Sequence, residues 1–224
     1  MNPDDVGRGG SEGEEEGWTG GGCVALVGAG PGHPGLLTLR GSELLRRCDV
    51  VLYDGLCNPQ LLRHAQHAEH LCVGKHGQAR IWKQTEIIDE MIRDARAGKL
   101  VVRLKGGDPA VFARTSEEVA ALRRAEIPFE IVPGITAALA AGSYAGIPIT
   151  HRGIASAVAL VTGHEQPNKD DAPLDWQALA RFPGTLVIYM GVTTARQWTS
   201  ALIEAGKDPS TPCAILRRCS LPDQ

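Results

Sequence analysis

Two glycine-rich stretches carry the first chemical signal in this chain. Gly28-Ala29-Gly30-Pro31-Gly32 follows the apolar run Cys23 to Val27, and Lys105-Gly106-Gly107-Asp108-Pro109 follows Leu100 to Leu104. A glycine loop between strand and helix lets a ligand approach bare backbone. Read from Gly30, the first loop spells Gly30-x-Gly32-x-x-Gly35, and Asp54 ends the next apolar run about 24 residues later. That is close to the dinucleotide fingerprint, in which the acid bonds a ribose hydroxyl, and it would make the chain an NAD-dependent oxidoreductase. Two details oppose it. The register from Gly28 meets His33 where a third glycine belongs, and Pro31 and Pro34 lack the N–H donors that a pyrophosphate needs. The second loop offers Asp108 as an acceptor for an ammonium or a hydroxyl. Two such loops at strand ends outline one crevice. A pair of ordinary tight turns would explain the glycines but not the charges around them.

Other residues bound the chemistry. A carboxylate at a strand end, as at Asp54, can take a proton from a substrate or simply cap the next turn. His64, His67 and His70 suggest a metal cluster at first sight. At about 100° per residue they do not share one helix face, so no metal site is expected. The six cysteines contain no C-x-x-C pair and read as free thiols of a reducing cytoplasm. The net charge of −3 and pI near 6.2 do not fit a nucleic-acid partner. No apolar stretch is long enough for a membrane span, and no secretory signal is visible. A composition of 43% hydrophobic and 22% charged residues is ordinary for a soluble globular enzyme, and an anionic small-molecule substrate fits a mildly acidic chain with local basic patches.

The elements that must position these residues alternate. Strands are expected at Cys23 to Val27, Val50 to Tyr53, Leu71 to Val73, Leu100 to Leu104, Phe129 to Val132, Ala157 to Val161, Thr185 to Met190 and Cys213 to Leu216. Helices are expected at Thr38 to Arg47, with Thr38 as N-cap, and at Lys83 to Ala97. Ile88, Met91, Ile92 and Ala95 mark the inner face of the second, and Gly98 lies just past its end. Further helices fall at Ser116 to Ala125, Thr136 to Ala145, around Trp176, and at Thr194 to Ala205. The pattern predicts an α/β fold. The boundaries are a disordered acidic, glycine-rich tail over 1–22, an N-terminal domain over 23–133 and a C-terminal domain over 134–224, with Pro133-Gly134 as the hinge. A polar loop is expected from Glu165 to Pro173.

Taken together, the motifs resemble the tetrapyrrole methylase family. The resemblance rests on Val27 to Gly32, Tyr53-Asp54, Val73-Gly74-Lys75, Arg103 to Pro109, Val132 to Ala137, Ala145 to Arg152, Val161 to His164 and Tyr189-Met190-Gly191, all in family order. It covers about residues 23 to 224. The Lys75, Arg103-to-Pro109 and Ile149-to-Arg152 motifs are most similar to the branch that C-methylates uroporphyrinogen III. That resemblance implies a fold of two α/β domains with a cofactor cleft between them, S-adenosyl-L-methionine as cofactor, a tetrapyrrole substrate, precorrin-2 as product for sirohaem or cobalamin synthesis, and a homodimer. It implies Asp54 as proton acceptor and Lys75 as proton donor. It places Pro31, Gly106, Gly107, Asp108, Val111, Thr136, Ala137, Met190 and Cys219 around the cofactor. The substrate's many carboxylates call for cations, for which Lys105, Arg114, His151 and Arg152 are the candidates. A cobalt-precorrin methyltransferase and an inactive, shortened relative are the alternatives within the family.

The chain departs from the family pattern at several points. His33 stands where the family has aspartate. Ala113-Arg114-Thr115-Ser116 replaces Gly-Arg-Gly-Gly, which should restrict the loop beside the cofactor. Ala110 replaces a bulky aromatic, and the C-terminal domain is expected to be incomplete at Gln224.

Overall fold

The central strands are apolar at nearly every position, as strands covered on both faces must be. In the computed structural model, which describes residues 21–74, 82–164 and 174–222, they form a parallel sheet. The tail up to residue 20, Lys75 and the polar loop 165–173 lie outside the described residues. In chain order the elements are β1 (Cys23–Gly28), α1 (Leu39–Arg47), β2 (Val50–Tyr53), β3 (Glu69–Cys72), α2 (Gln84–Arg96), β4 (Leu100–Lys105), α3 (Thr115–Arg124), β5 (Phe129–Val132), α4 (Ala137–Tyr144), β6 (Val158–Thr162), α5 (Trp176–Ala180), β7 (Thr185–Tyr189) and α6 (Ala195–Glu204). Strands β1 to β5 make one sheet in the order β3-β2-β4-β1-β5, and β6 and β7 pair in parallel as a second.

That order explains the layers. The crossover from β1 to β2 runs one way along the sheet, and those from β3 to β4 and from β4 to β5 run the other way. Right-handed crossovers must therefore put α1 on one face and α2 and α3 on the opposite one. Side chains alternate accordingly. Ala25, Val27, Val51, Val102 and Leu104 pack with Leu44 and Leu45 of α1. Val24, Leu26, Val50, Leu52 and Val101 pack with Ile87 and Met91 of α2 and Leu122 of α3. Thr38 caps α1 as expected, its hydroxyl accepting the Gly41 N–H at 3.1 Å.

Two expectations are corrected. The buried stripe of α2 is Ile87, Met91, Asp94 and Ala95, and Ile88 and Ile92 only flank it. The helix is rotated so that its i, i+4, i+7, i+8 row faces the sheet. Cys213 to Leu216 forms no strand; no neighbouring chain pairs with it among the described residues, and Cys213 to Ile215 stay exposed. At the expected hinge, Gly134 is closely packed. Its N–H donates to Asp108 Oδ2 at 2.9 Å, and a Cβ on Gly28 would lie 2.6 Å from its Cα.

Because all five strands run in parallel, their C-terminal ends share one edge. Gly28 pairs with Lys105, Tyr53 with Leu104 and Val27 with Val132. The glycine loops and Asp54 therefore leave the sheet side by side.

Candidate active site

The connections leaving β1 and β4 diverge to opposite faces, which opens a crevice between these neighbouring strand ends. The two glycine loops are stitched together there. Gly30 N–H donates to Gly107 O at 3.1 Å, Gly107 N–H to Gly30 O at 2.8 Å, and Ala29 N–H to Lys105 O at 2.7 Å. Gly107 has φ 70°, a left-handed conformation costly for any residue with a Cβ. A Cβ there would meet only Thr136 Cα, at 3.9 Å. The crevice floor is thus open backbone, which suits a ligand lying flat against it.

Asp108 fixes the loop. Its Oδ1 accepts the Ala110 N–H at 2.7 Å, its Oδ2 accepts the Gly134 N–H, and its carbonyl accepts the Val111 N–H at 3.2 Å. The carboxylate therefore holds the end of β5 against the loop after β4. Thr136 and Ala137 follow at the start of α4. There the Tyr189 hydroxyl lies 2.6 Å from Thr136 Oγ1 and accepts the Ala138 N–H at 2.9 Å. Its ring packs on Phe112 with centroids 5.0 Å apart. Tyr189 thus joins the second sheet to the crevice. Met190, next along, is 55% exposed with φ 55°, and Trp198 Nε1 braces the following turn by donating to Gly191 O at 2.9 Å. A non-glycine residue held in that region is a strain that clusters at functional sites.

The first loop has its own closure. His33 caps a 3-10 turn over Pro34–Leu36, its Nδ1 accepting the Gly35 N–H at 3.0 Å. It thereby does what an aspartate at that position would do, so the departure keeps the local structure. The His33 N–H donates to Ser220 Oγ at 2.9 Å, and Leu221 packs over Gly32. Cys219, buried beside them, and half-buried Pro31 fall at this side of the crevice. This turn also separates the loop from α1, which begins only at Leu39. A pyrophosphate on Gly30 would not meet that helix N-terminus, which argues against the dinucleotide reading.

Asp54 stands at the end of β2. Its Oδ1 accepts the Leu56 N–H at 2.9 Å and its Oδ2 lies 3.8 Å from Arg103 Nη2. Its side chain is 23% exposed, open enough to meet a substrate. A Cβ on Gly106 would lie 3.9 Å from Oδ1, so the carboxylate borders the glycine floor. Gly74 packs directly on Asp54.

The candidate cations divide. Lys105, expected to meet substrate, is committed elsewhere: its Nζ is ion-paired with Glu118 Oε2 in the core under α3. Strand alternation puts Lys105 and Arg103 on one face, and a buried ammonium needs a partner there. Burial pulls the Lys105 ammonium below the ordinary lysine range, and the Glu118 carboxylate opposes that shift. Arg114 is exposed beside a hollow of about 430 Å³ lined by Ala110, Phe112 and Ile131, and pairs with Glu117 at 2.7 Å. His151 and Arg152 lie on an exposed turn, where His151 Nδ1 accepts the Gly153 N–H at 3.1 Å. The lost glycines do not restrict the loop as expected, because the left-handed residues there are Phe112 and Arg114, not Ala113, Thr115 or Ser116. Among the described residues no cluster of His, Cys, Asp and Glu could hold a metal ion.

A parallel α/β sheet with a crevice at diverging strand ends, flanked by a carboxylate and an exposed thioether, defines a class of doubly wound α/β proteins with room for a small ligand against backbone. The chain belongs to the tetrapyrrole (corrin/porphyrin) methylase family, whose model matches residues 23–224. It is 50% identical over 204 residues to siroheme synthase 1 of Yersinia enterocolitica, covering 91% of this chain and 43% of that protein. The chain thus spans less than half the length of the siroheme synthases it matches. It is 47% identical over 204 residues to an S-adenosyl-L-methionine-dependent uroporphyrinogen III methyltransferase of Methanosarcina barkeri, covering 91% of this chain and 80% of that one. Among solved structures, the uroporphyrin-III C-methyltransferase of Thermus thermophilus in complex with S-adenosylhomocysteine is 45% identical with a TM-score of 0.71. That match covers 84% of this chain and 78% of the other.

Proposed function

We propose that the chain is an S-adenosyl-L-methionine-dependent C-methyltransferase that converts uroporphyrinogen III to precorrin-2, for sirohaem or cobalamin synthesis. The observation that carries this reading is the open backbone at Gly107, with the Asp54 carboxylate beside neighbouring Gly106. It suits a cofactor held against backbone beside a base. When bound, the cofactor supplies a methyl group already activated by the sulfonium charge. Pro31, Gly106, Gly107, Val111, Thr136, Ala137 and Cys219 form its walls, Asp108 fixes the loop, and Met190 packs its thioether against the adenine. Each methyl transfer releases one proton from the substrate, which Asp54 takes; Lys75 is the proton donor of the same reading, and a proton it lends during the ring rearrangement comes back to it. Arg114, His151 and Arg152 receive the substrate carboxylates. The domain division at residue 133 belongs to the same reading, since the first sheet ends at Val132 and the second begins at Val158.

The finer reading is a cytoplasmic homodimer. Helix α4 is largely apolar yet leaves Leu139 and Tyr144 exposed, as a face covered by a second copy would. The six free cysteines suit a reducing compartment. Among the described residues no helix is long and apolar enough to cross a membrane.

Cofactor choice is tested by thermal unfolding with S-adenosylhomocysteine or NADH. At 100 times its dissociation constant, S-adenosylhomocysteine should stabilise by about 2.7 kcal/mol. Protection by NADH alone would reverse the reading. Tyr189→Phe keeps the ring on Phe112 but removes the hydroxyl from Thr136 and Ala138. Losing such a hydrogen bond typically costs about 0.5–1.5 kcal/mol, so S-adenosylhomocysteine should bind roughly 2- to 12-fold more weakly by calorimetry. Unchanged affinity would show that this joint does not shape the cofactor wall.

A further inference from the structure

The proposed chemistry uses none of the charges buried behind Asp54, and they are costly to keep. Arg103, Lys105 and Glu118 are each at most 5% exposed, on a sheet face otherwise filled by aliphatic side chains. An apolar residue would pack at Arg103 without needing partners. The guanidinium instead has its donors tied down one by one. Nε donates to Glu118 Oε1 at 3.4 Å, and Nη1 donates to the carbonyls of Leu52 at 3.4 Å and Leu104 at 3.1 Å. Glu118 is in turn fixed by Lys105 Nζ and by Gln84 Nε2 at 3.0 Å. What remains is Nη2, which faces Asp54 Oδ2 at 3.8 Å. On the other oxygen, Asp54 Oδ1 is held by the Leu56 N–H and by the Cys57 thiol at 3.5 Å. The carboxylate thus has one oxygen set by its own turn and the other facing an arginine that cannot swing away.

We infer that Arg103, clamped from behind by Glu118, is the positioning residue for Asp54, holding its second oxygen at the edge of the crevice where a proton is to be taken. This inference rests on the proposed methyl transfer with Asp54 as base. A planar fork locked at Nε and Nη1 aims its remaining nitrogen in one direction, which a flexible lysine ammonium cannot do. The hydrogen bonds and ion pairs of Arg103 go to Glu118, Leu52, Leu104 and Asp54 and none to Gly106, Gly107 or the α4 start, so its effect should fall on turnover and leave cofactor binding alone.

The test compares Arg103→Met and Arg103→Lys in the full chain, each alone and combined with Asp54→Asn. Folding is followed by thermal melting, S-adenosylhomocysteine affinity by calorimetry, and methyl transfer by steady-state kinetics with uroporphyrinogen III. Misplacing a catalytic group by an ångström can cost about a hundredfold, so Arg103→Met should lower kcat roughly 10- to 100-fold with KM and cofactor affinity unchanged. Arg103→Lys should recover part of that loss. If the methionine variant does not fold, the lysine variant carries the test through its own lowered kcat at unchanged KM. In the Asp54→Asn background, either change at Arg103 should cost nothing further, because the residue acts through Asp54. A wild-type kcat in the folded single variants, or an equal loss with and without Asp54, would overturn the positioning role while leaving the proposed function standing. A wild-type protein that does not methylate uroporphyrinogen III would instead overturn the proposed function, and this inference with it.

Discussion

Asp54→Asn should bind S-adenosylhomocysteine about as tightly as the wild-type chain, yet transfer methyl groups roughly 10²- to 10⁴-fold more slowly, the usual cost of losing a general base. The geometry makes this a clean change. The asparagine carbonyl can still accept the Leu56 N–H that Asp54 Oδ1 accepts at 2.9 Å, so the turn after β2 survives. The group lost is the oxygen facing Arg103, and an amide does not take up a proton at neutral pH. If Asp54 instead bound a ribose hydroxyl, the same substitution would weaken cofactor binding first. Calorimetry and single-turnover methylation on one protein batch separate the two. Collapsed cofactor affinity with a surviving saturated rate would contradict the base assignment.

Glu118→Ala should be the most destabilising of these changes. Glu118 is fully buried and is the shared partner of Arg103 and Lys105. Removing one side of a buried ion pair leaves uncompensated charge and costs about 3–5 kcal/mol. In a domain of this size that lowers the melting temperature by roughly 10 °C or more. The pH dependence has a definite sign. Burial already lowers the Lys105 pKa from the ordinary 10.5, and Glu118 is the charge that opposes the shift. Without Glu118 the folded chain holds that proton less tightly than the unfolded chain. Stability then rises with pH from the lowered folded pKa up to the unfolded one. The variant's deficit in urea unfolding should therefore shrink on going to alkaline pH. A deficit below about 1 kcal/mol at neutral pH, within the range of exposed pairs, would show the network to be structurally idle.

Much of the fold was legible because local rules and the global arrangement agree. The apolar runs at β1 and β2 have no polar face and so read as strands covered on both sides. Thr38 announced its helix, and the glycine loops announced the crevice. Strand order was not legible, since periodicity fixes which residues face inward but not which strands are neighbours. The same limit hid the role of Lys105. Beside a glycine loop its charge reads as a ligand contact, and only the strand pairing shows it turned under α3 toward Glu118. Nothing in the spacing of Glu117 and Glu118 distinguishes the exposed partner of Arg114 from the buried partner of Arg103; the rotation of α3 decides it. Tyr189 was visible as part of a motif, but a hydroxyl reaching the start of α4 is a long-range contact that no local pattern encodes. Cys213 to Leu216 failed in the opposite direction: suitable side chains do not make a strand without a neighbour to pair with.

The central claim is methyl transfer to a tetrapyrrole at this crevice. The most direct measurement incubates the chain with methyl-labelled S-adenosylmethionine and uroporphyrinogen III under anaerobic conditions and follows label into the tetrapyrrole by mass. The account predicts a product heavier by two methyl groups, formed by the wild-type chain and strongly slowed in Asp54→Asn. No label in the tetrapyrrole, from a folded protein that binds S-adenosylhomocysteine, would contradict it.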